Sequence, residues 1–319
     1  MSSVLYDTPG PRTRRITVIA SILAAIALGY GLYRLVYQPL DRAGQLSMKL
    51  WGPIVDPDNK YFDQVWKILG DGWVNTLKAA GLSIVASLTV GVALALLRRQ
   101  LRDLRGHRFL SWPAPAALLG RIGLAVGRAV SRVWVEVWRG TPVVTTLFFV
   151  FLVLPVWGID FDDRMWFLVL GLTLYNSVVI GEILRSGMDN LPKGQSEAAL
   201  AVGLGPALTS RLVLLPQAFR VMLPALISQV VVILKDTSLG GLVISYDEAL
   251  GATKLMVEAF RSETPSLAIG IPMYFTIGIM YIAVNYLLSK LAQYVQRRVS
   301  QRGYRTAKQA VTPASVPAA

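Results

Sequence analysis

Apolar runs long enough to cross a lipid bilayer alternate with short polar segments along most of this chain. About 20 apolar residues form a helix that spans a hydrocarbon core of about 30 Å. The pattern therefore predicts an all-α integral membrane protein. Its six predicted transmembrane helices are residues 16–37, 72–97, 142–157, 165–184, 221–245 and 267–288.

One further stretch, residues 116–138, is apolar enough to suggest another span. Its arginines follow at intervals of seven, four and seven residues, which places them on one stripe of a helix. A helix with one basic and one apolar face lies in the membrane interface. Counting it as a span would also put the acidic turn at residues 160–163 inside the cell. The four arginines of this predicted interfacial helix are Arg121, Arg128, Arg132 and Arg139.

The charges between the runs predict the orientation of the chain. Lys and Arg concentrate in alternate polar segments, and such segments lie on the cytoplasmic side. Both termini are therefore expected in the cytoplasm. The first run is longer than a signal peptide needs, so we interpret it as a retained helix. The predicted organisation is a cytoplasmic N-terminus (1–15), a membrane domain (16–306) and a disordered tail (307–319). Within the membrane domain we expect an extracytoplasmic loop (38–71), a basic cytoplasmic insertion (98–140) and a cytoplasmic loop (194–216).

Composition narrows the possible classes of function. The 319 residues are 54% hydrophobic and 16% charged, with a mean hydropathy of +0.50, which is too apolar for a soluble domain. A net charge of +13 would suit nucleic acid. However, the basic residues alternate with membrane-length runs, so no nucleic-acid partner is expected. The chain has no cysteine, and its single histidine, His107, stands among arginines, so no metal site is expected.

Residues 194–216 combine two short predicted helices with a glycine corner between them. Gly203 occupies the position at which a left-handed residue ends a helix. Pro206 suits the first turn of the second helix, and Pro216 is expected to limit its far end. Glu197 is the one carboxylate of this small-residue segment. From composition alone, an ordinary helix-turn-helix connection between spans explains the segment.

Two charged residues, Lys235 and Asp236, fall inside the fifth predicted span, with Lys235 about 20 Å from its start. A charge at that depth needs a partner or a watery cavity and indicates a functional site. A structural ion pair, or a helix that ends early, explains the charges equally well. Pro224, Gly240 and Gly241 would allow a broken helix, which favours the cavity. For Glu182 and Arg185, three residues apart on the fourth span, a local ion pair is the simplest interpretation.

Several segments resemble the permeases of ATP-binding-cassette (ABC) importers. Glu197-Ala198-Ala199, Gly203 and Leu215-Pro216 are similar to the EAA loop of that family. A combination of five other segments resembles permeases for polar amino acids. Residues 4–7 and 9–12, together with Tyr175-Asn176, are most similar to the D-type permease of actinobacterial glutamate importers. Those other segments are 72–77, 139–142, 181–187, 192–195 and 234–239.

The resemblance implies a MetI-like fold and a multi-pass protein of the bacterial cell membrane. It implies three protein partners: a cytoplasmic ABC ATPase, a second permease chain (a sister or a copy of this one) and an extracytoplasmic solute-binding protein. ATP would be hydrolysed by the ATPase, which agrees with the lack of a phosphate-loop motif in this chain. The chain itself is thus expected to be no enzyme and to bind no cofactor.

The resemblance and the buried charges together give two sets of candidate residues. The first set couples the chain to the ATPase, and the second lies on the translocation pathway or gates it. The coupling residues are Glu197, Ala198, Ala199, Gly203, Leu215 and Pro216; the pathway residues are Lys235, Asp236, Thr237, Ser238, Glu182 and Arg185.

More than one substrate and more than one energy source for transport fit the sequence. Glutamate is the expected substrate, and glutamine or a basic amino acid stays open because a binding protein does much of the selecting. A carrier driven by an ion gradient would also place charges inside the membrane, but it would usually need inverted repeats and more spans. A membrane scaffold without transport activity is the third alternative.

Overall fold

The computed structural model describes residues 10–105, 113–263 and 268–309, and within these ranges it is helical without strands. The helices are α1 (Pro11–Leu32), α2 (Gln38–Arg42), α3 (Met48–Val55), α4 (Phe62–Asp103), α5 (Ala114–Gly140), α6 (Val143–Val156), α7 (Met165–Asp189), α8 (Lys193–Ala201), α9 (Pro206–Leu208), α10 (Leu215–Asp236), α11 (Ala249–Glu263) and α12 (Gly270–Gln309), with π-helical turns at Tyr33–Tyr37, Thr209–Leu214 and Gly240–Ile244.

The prediction of an all-α membrane protein is confirmed. Among the described residues, five helical stretches are long and apolar enough to cross a membrane, and α5 with α6 gives a sixth if this bent pair is one span. The two helices turn by 108° because Thr141 is extended and precedes Pro142, whose ring disfavours a helical conformation for the residue before it. The five stretches are Pro11–Arg42, Phe62–Asp103, Met165–Asp189, Pro206–Ser262 and Gly270–Arg298.

Several predicted boundaries differ from the structure. The loop expected at 38–71 contains α2, α3 and the start of α4, and the loop expected after Ser245 contains α11. The last helix continues to Gln309, through the first three residues of the tail predicted to be disordered. The rest of that tail, His107 and most of the N-terminus (1–9) lie outside the described residues.

The described residues within 1–66 and 257–275 form one compact unit. Its aromatic residues pack edge to face, with ring centroids 5.8 Å apart for Trp51 and Phe275 and 5.0 Å apart for Tyr61 and Phe260. The Trp66 indole donates a hydrogen bond to the Ile54 carbonyl at 3.0 Å. Helix α1 has no buried residue, which suits a helix surrounded by lipid.

Residues 67–256 and 276–319 form the second unit, in which α7 packs against α4, α6 and α10. Helices α4 and α7 approach each other closely at two glycines. A Cβ on Gly91 would lie 2.9 Å from the Ser177 carbonyl oxygen, and one on Gly181 would lie 3.1 Å from the Gly91 carbonyl oxygen. Helices in membranes approach this closely only through small residues. The backbones of α4 and α7 are therefore in direct contact.

Candidate functional site

The coupling loop, residues 194–216, begins with α8 and turns at Gly203. The Gly203 backbone has a positive φ of 87°. Its N–H donates to the Leu200 carbonyl at 3.0 Å, and the Leu204 N–H donates to the Ala199 carbonyl at 3.1 Å. This pair of bonds is the Schellman motif, which ends a helix with a left-handed residue. The predicted role of Gly203 as helix terminator is confirmed.

The first helix of the coupling loop has one buried and one exposed side. Ala199 is buried, whereas Glu197 and Ala198 are exposed. Glu197 makes no ion pair with any of the described residues. Large apolar side chains around the corner are also exposed, although they belong to a polar connection. These exposed side chains are Leu200, Val202, Leu208 and Leu212.

The second helix does not end at Pro216, so that prediction is wrong. Pro206 is the first residue of α9, as predicted, but the helix passes through the π-helical turns Thr209–Leu214 and continues as α10, whose first two residues are Leu215 and Pro216. In an α-helix the Pro216 ring would clash with the Leu212 carbonyl. The wider π-helical turns immediately before it relieve that clash.

A cluster of arginines and carboxylates joins α4 to α7 beside the coupling loop. Asp189 accepts hydrogen bonds from Arg99 at 2.9 Å, Arg102 at 2.7 Å and Arg185 at 2.7 Å. The Nε of Arg99 also donates to the hydroxyl of Ser210 at 3.0 Å, and Ser210 is buried in the π-helical part of the loop. The Arg99 guanidinium thus connects the ends of α4 and α7 to the coupling loop.

Glu182 and Arg185 form the predicted pair, with Nη2 and Oε2 3.0 Å apart. The pair is not only local, because Arg98 of α4 also donates to Glu182. Sequence reasoning missed this link, since nothing in the order of residues shows which helix faces α7. Both residues belong to the cluster beside the coupling loop, and the structure does not bring them together with Lys235.

Removing the Asp189 charge should weaken this cluster. We expect Asp189→Asn to lower the free energy of unfolding by about 1–2 kcal/mol, because three guanidinium groups lose one charge-assisted acceptor. The measurement is thermal unfolding of the purified chain in detergent. Asp103→Asn is the matched control, since Asp103 lies 3.6 Å from Arg99 and 3.9 Å from Arg102. Equal effects of the two variants would contradict the role given to Asp189.

The charges predicted inside the fifth span lie at a helix end. Helix α10 ends at Asp236, which agrees with the alternative of a helix that ends early. Lys235 is exposed and Asp236 half-buried, and within the described residues neither forms an ion pair. Thr237 is buried and donates to the Leu234 carbonyl at 2.6 Å, while Ser238 donates to the Lys235 carbonyl at 2.9 Å. The two hydroxyls therefore bond to the carbonyls of the helix end itself.

Glu248 falls between the fifth and sixth predicted spans, in a segment whose acidic residues predict a loop outside the membrane, yet this carboxylate is buried. Its side chain has no exposed surface. It accepts hydrogen bonds from the N–H groups of Gly241 at 3.2 Å, Leu250 at 2.9 Å and Gly251 at 2.8 Å, and from the Tyr281 hydroxyl at 2.8 Å. Glu248 thus connects the break after α10, the start of α11 and the span α12.

Two glycines make room for this carboxylate. A Cβ on Gly241 would lie 2.4 Å from the Gly251 nitrogen and 2.5 Å from Oε1 of Glu248, so no larger residue fits. Gly241 and Gly251 are the sequence signal for this buried carboxylate, because glycine allows other backbone and side-chain atoms to approach its own backbone closely. The helix breaks after Asp236, just before Gly240 and Gly241, and Pro224 lies inside α10 without breaking it. The two glycines begin the π-helical turns, which end at Ser245 with a positive φ of 54°.

A charged cavity of about 580 Å³ opens beside this break. It is lined by cations and carboxylates from three parts of the chain, and the Arg164 guanidinium on its wall donates to the Ser245 carbonyl at 3.0 Å. Within the described residues, no group of three potential metal ligands comes together. The charged lining residues are Lys78, Asp162, Asp163, Arg164 and Asp247.

Apolar helices of spanning length, a break beside a charged cavity and a loop of two short helices fit a transport subunit of the membrane. Comparison with known proteins agrees with this class. The family described as binding-protein-dependent transport system inner membrane component matches residues 116–301. The chain therefore belongs to that family, in which ABC permeases of the MetI-like fold occur.

Two relatives narrow the class from transport components in general to amino-acid permeases. The chain is 34% identical to the glutamate transport system permease protein GluD of Corynebacterium glutamicum, over 80% of this chain and 82% of that one. It is 30% identical to the probable glutamine ABC transporter permease protein GlnP of Bacillus subtilis, over 75% and 96%. The protein is accordingly the permease subunit of an ABC amino-acid importer in the bacterial plasma membrane, and it is not an enzyme.

The fold agrees with that of a solved relative. The crystal structure of an amino acid ABC transporter with histidines superposes with a TM-score of 0.56, at 23% identity, over 74% of this chain and 96% of that one. At this identity the similarity supports the fold alone.

Proposed function

We propose that this permease imports glutamate. The observation that carries the proposal is the similarity to GluD along most of both chains. The glutamate/aspartate import permease protein GltK of Escherichia coli is also similar, at 28% identity over 72% of this chain. The relatives with glutamine in their names keep that amide as the second candidate.

The test is uptake of a labelled amino-acid panel by a strain from which the chain is deleted. We expect glutamate uptake to fall to background and to return when the gene is restored, with uptake of glutamine and of lysine, as a basic amino acid, little changed. A loss of glutamine uptake alone would assign the second candidate. Loss of none of the panel would contradict amino-acid import by this chain.

The coupling loop is the proposed contact with a cytoplasmic ABC ATPase. Its exposed apolar side chains and the single exposed carboxylate Glu197 form a small projecting surface that suits a groove on another protein. Gly203 fixes the corner, and Ala198 leaves room for close approach. Leu215 and Pro216 start the span that would receive the motion, and Arg99 would carry it to α4 and α7 through Ser210.

The remaining roles follow from the orientation that we propose. With the basic segments inside, both termini are cytoplasmic and the charged cavity faces an extracytoplasmic solute-binding protein. A second permease chain, a sister or another copy, would complete the pathway. Lys235, Asp236, Thr237 and Ser238 would lie along the pathway at the broken helix, where discontinuous helices commonly bind solutes. Glu182 and Arg185 would act as a gate near the coupling loop.

A further inference from the structure

A second cavity lies between the end of α4 and the amphipathic helix α5. It has a volume of about 440 Å³, and no acidic residue lines it. Leu101 of α4 lies against Gly127 of α5 at one side of it, 3.4 Å from the position of an added Cβ. Guanidinium groups from α4, α5 and α7 converge on this cavity. They belong to Arg98, Arg102, Arg105, Arg128, Arg132 and Arg185.

Three of these arginines already have carboxylate partners and three do not. Arg98 and Arg185 contact Glu182, and Arg102 contacts Asp189. The other three form no ion pair with any described residue. A cavity with this surplus of positive charge requires an anion, and arginine binds phosphate oxygens in a bidentate manner. The three unpaired arginines are Arg105, Arg128 and Arg132.

The other face of α5 indicates where this anion comes from. Apolar side chains follow at intervals of three and four residues and are at least half exposed, as expected of a helix lying on acyl chains. A ligand with both a phosphate and acyl chains would fill the cavity and cover this stripe. The exposed stripe consists of Leu119, Ile122, Val126, Val130, Val133 and Val137.

We propose that the cavity between α4 and α5 binds the phosphate headgroup of an anionic phospholipid. Basic pockets at the cytoplasmic ends of transmembrane helices bind such headgroups. The phosphate lies on Arg128 and Arg132 of α5 and on Arg105 in the turn after α4, beside the arginines that hold Glu182 and Asp189. The site is independent of the substrate, so the outcome of the uptake panel does not affect it.

The test is a lipid titration of the full chain in a neutral detergent, after removal of endogenous lipid. Bound lipid is counted by native mass spectrometry with phosphatidylglycerol and, separately, phosphatidylcholine. We expect one saturable phosphatidylglycerol site per chain that phosphatidylcholine does not fill. The double variant R128Q/R132Q should weaken binding roughly thirtyfold, because each arginine near an anionic headgroup contributes about fivefold.

The matched control is R121Q/R139Q, which removes two arginines from the same helix outside the cavity. We expect it to change the affinity by less than about twofold. Circular dichroism and elution volume check the fold, and R105Q serves as the second variant if the double variant is not folded. Equal weakening by both doubles, or displacement of the lipid by millimolar inorganic phosphate, would overturn the proposal. So would the lack of a saturable site.

Discussion

Replacing Glu197 by lysine should abolish transport while leaving the protein folded in the membrane. Glu197 is exposed on α8 and has no ion-pair partner among the described residues, so the free energy of unfolding should change by less than about 0.5 kcal/mol. If the coupling loop docks on the ATPase, reversing its only carboxylate places a like or unpaired charge in that contact. We expect uptake to fall at least tenfold, measured as initial rates in cells with equal permease abundance.

The control for this prediction is Glu136→Lys, because Glu136 is also exposed and is likewise without an ion pair among the residues described. We expect near-normal uptake for Glu136→Lys. Solute-stimulated ATP hydrolysis by the reconstituted complex should be lost with Glu197→Lys alone. Normal uptake by Glu197→Lys would show that the coupling loop does not transmit the motion through this residue.

Removing the Glu248 carboxylate should have the largest effect on stability. Glu248→Ala leaves three backbone N–H groups and one hydroxyl without their acceptor in a buried position. Each such group costs about 1–3 kcal/mol, and relaxation recovers part of the sum, so we expect a loss of about 3–5 kcal/mol. The measurement is thermal unfolding of the purified protein in detergent.

Two further variants test whether the loss of stability comes from the hydrogen bonds of Glu248 or from any substitution in this part of the chain. Tyr281→Phe removes one donor and keeps the carboxylate, so we expect a loss of only about 1 kcal/mol. Glu258→Ala changes an exposed glutamate on α11, the helix that begins directly after Glu248, and should be nearly neutral. A Glu248→Ala protein as stable as Glu258→Ala would refute the role of this carboxylate in joining the helices.

The sequence predicted those features that depend on local pattern. The positions of five predicted spans follow from runs of apolar residues, whereas the third, 142–157, is long enough to cross a membrane only together with α5. The corner at Gly203 follows from its place after a short helix. The separate basic helix α5 follows from the spacing of its arginines, and the break near Gly240 from paired glycines. In each case the residues that cause the feature are neighbours in the chain, so no knowledge of packing is needed.

The features that were missed depend on contacts between distant residues. The acidic residues after the fifth span predict a loop outside the membrane, and only the contacts with Gly241 and Tyr281 show that Glu248 of this segment is buried. The contacts of Arg98 with Glu182 and of Arg99 with Asp189 join positions more than 80 residues apart. Pro216 was given the usual role of a helix terminator, because π-helical turns leave no local signal.

The glycine contact between α4 and α7 restricts how the protein can move. At Gly91 and Gly181 the backbones of the two helices are in contact, and the side chain of Ile180 packs against Gly91, so little room is left there for the helices to slide. The arginine cluster fixes the same pair at its end. We therefore expect the two spans to move together when Ser210 is displaced. The extended residue Thr141 and the break after Asp236 are the places where the chain is expected to bend.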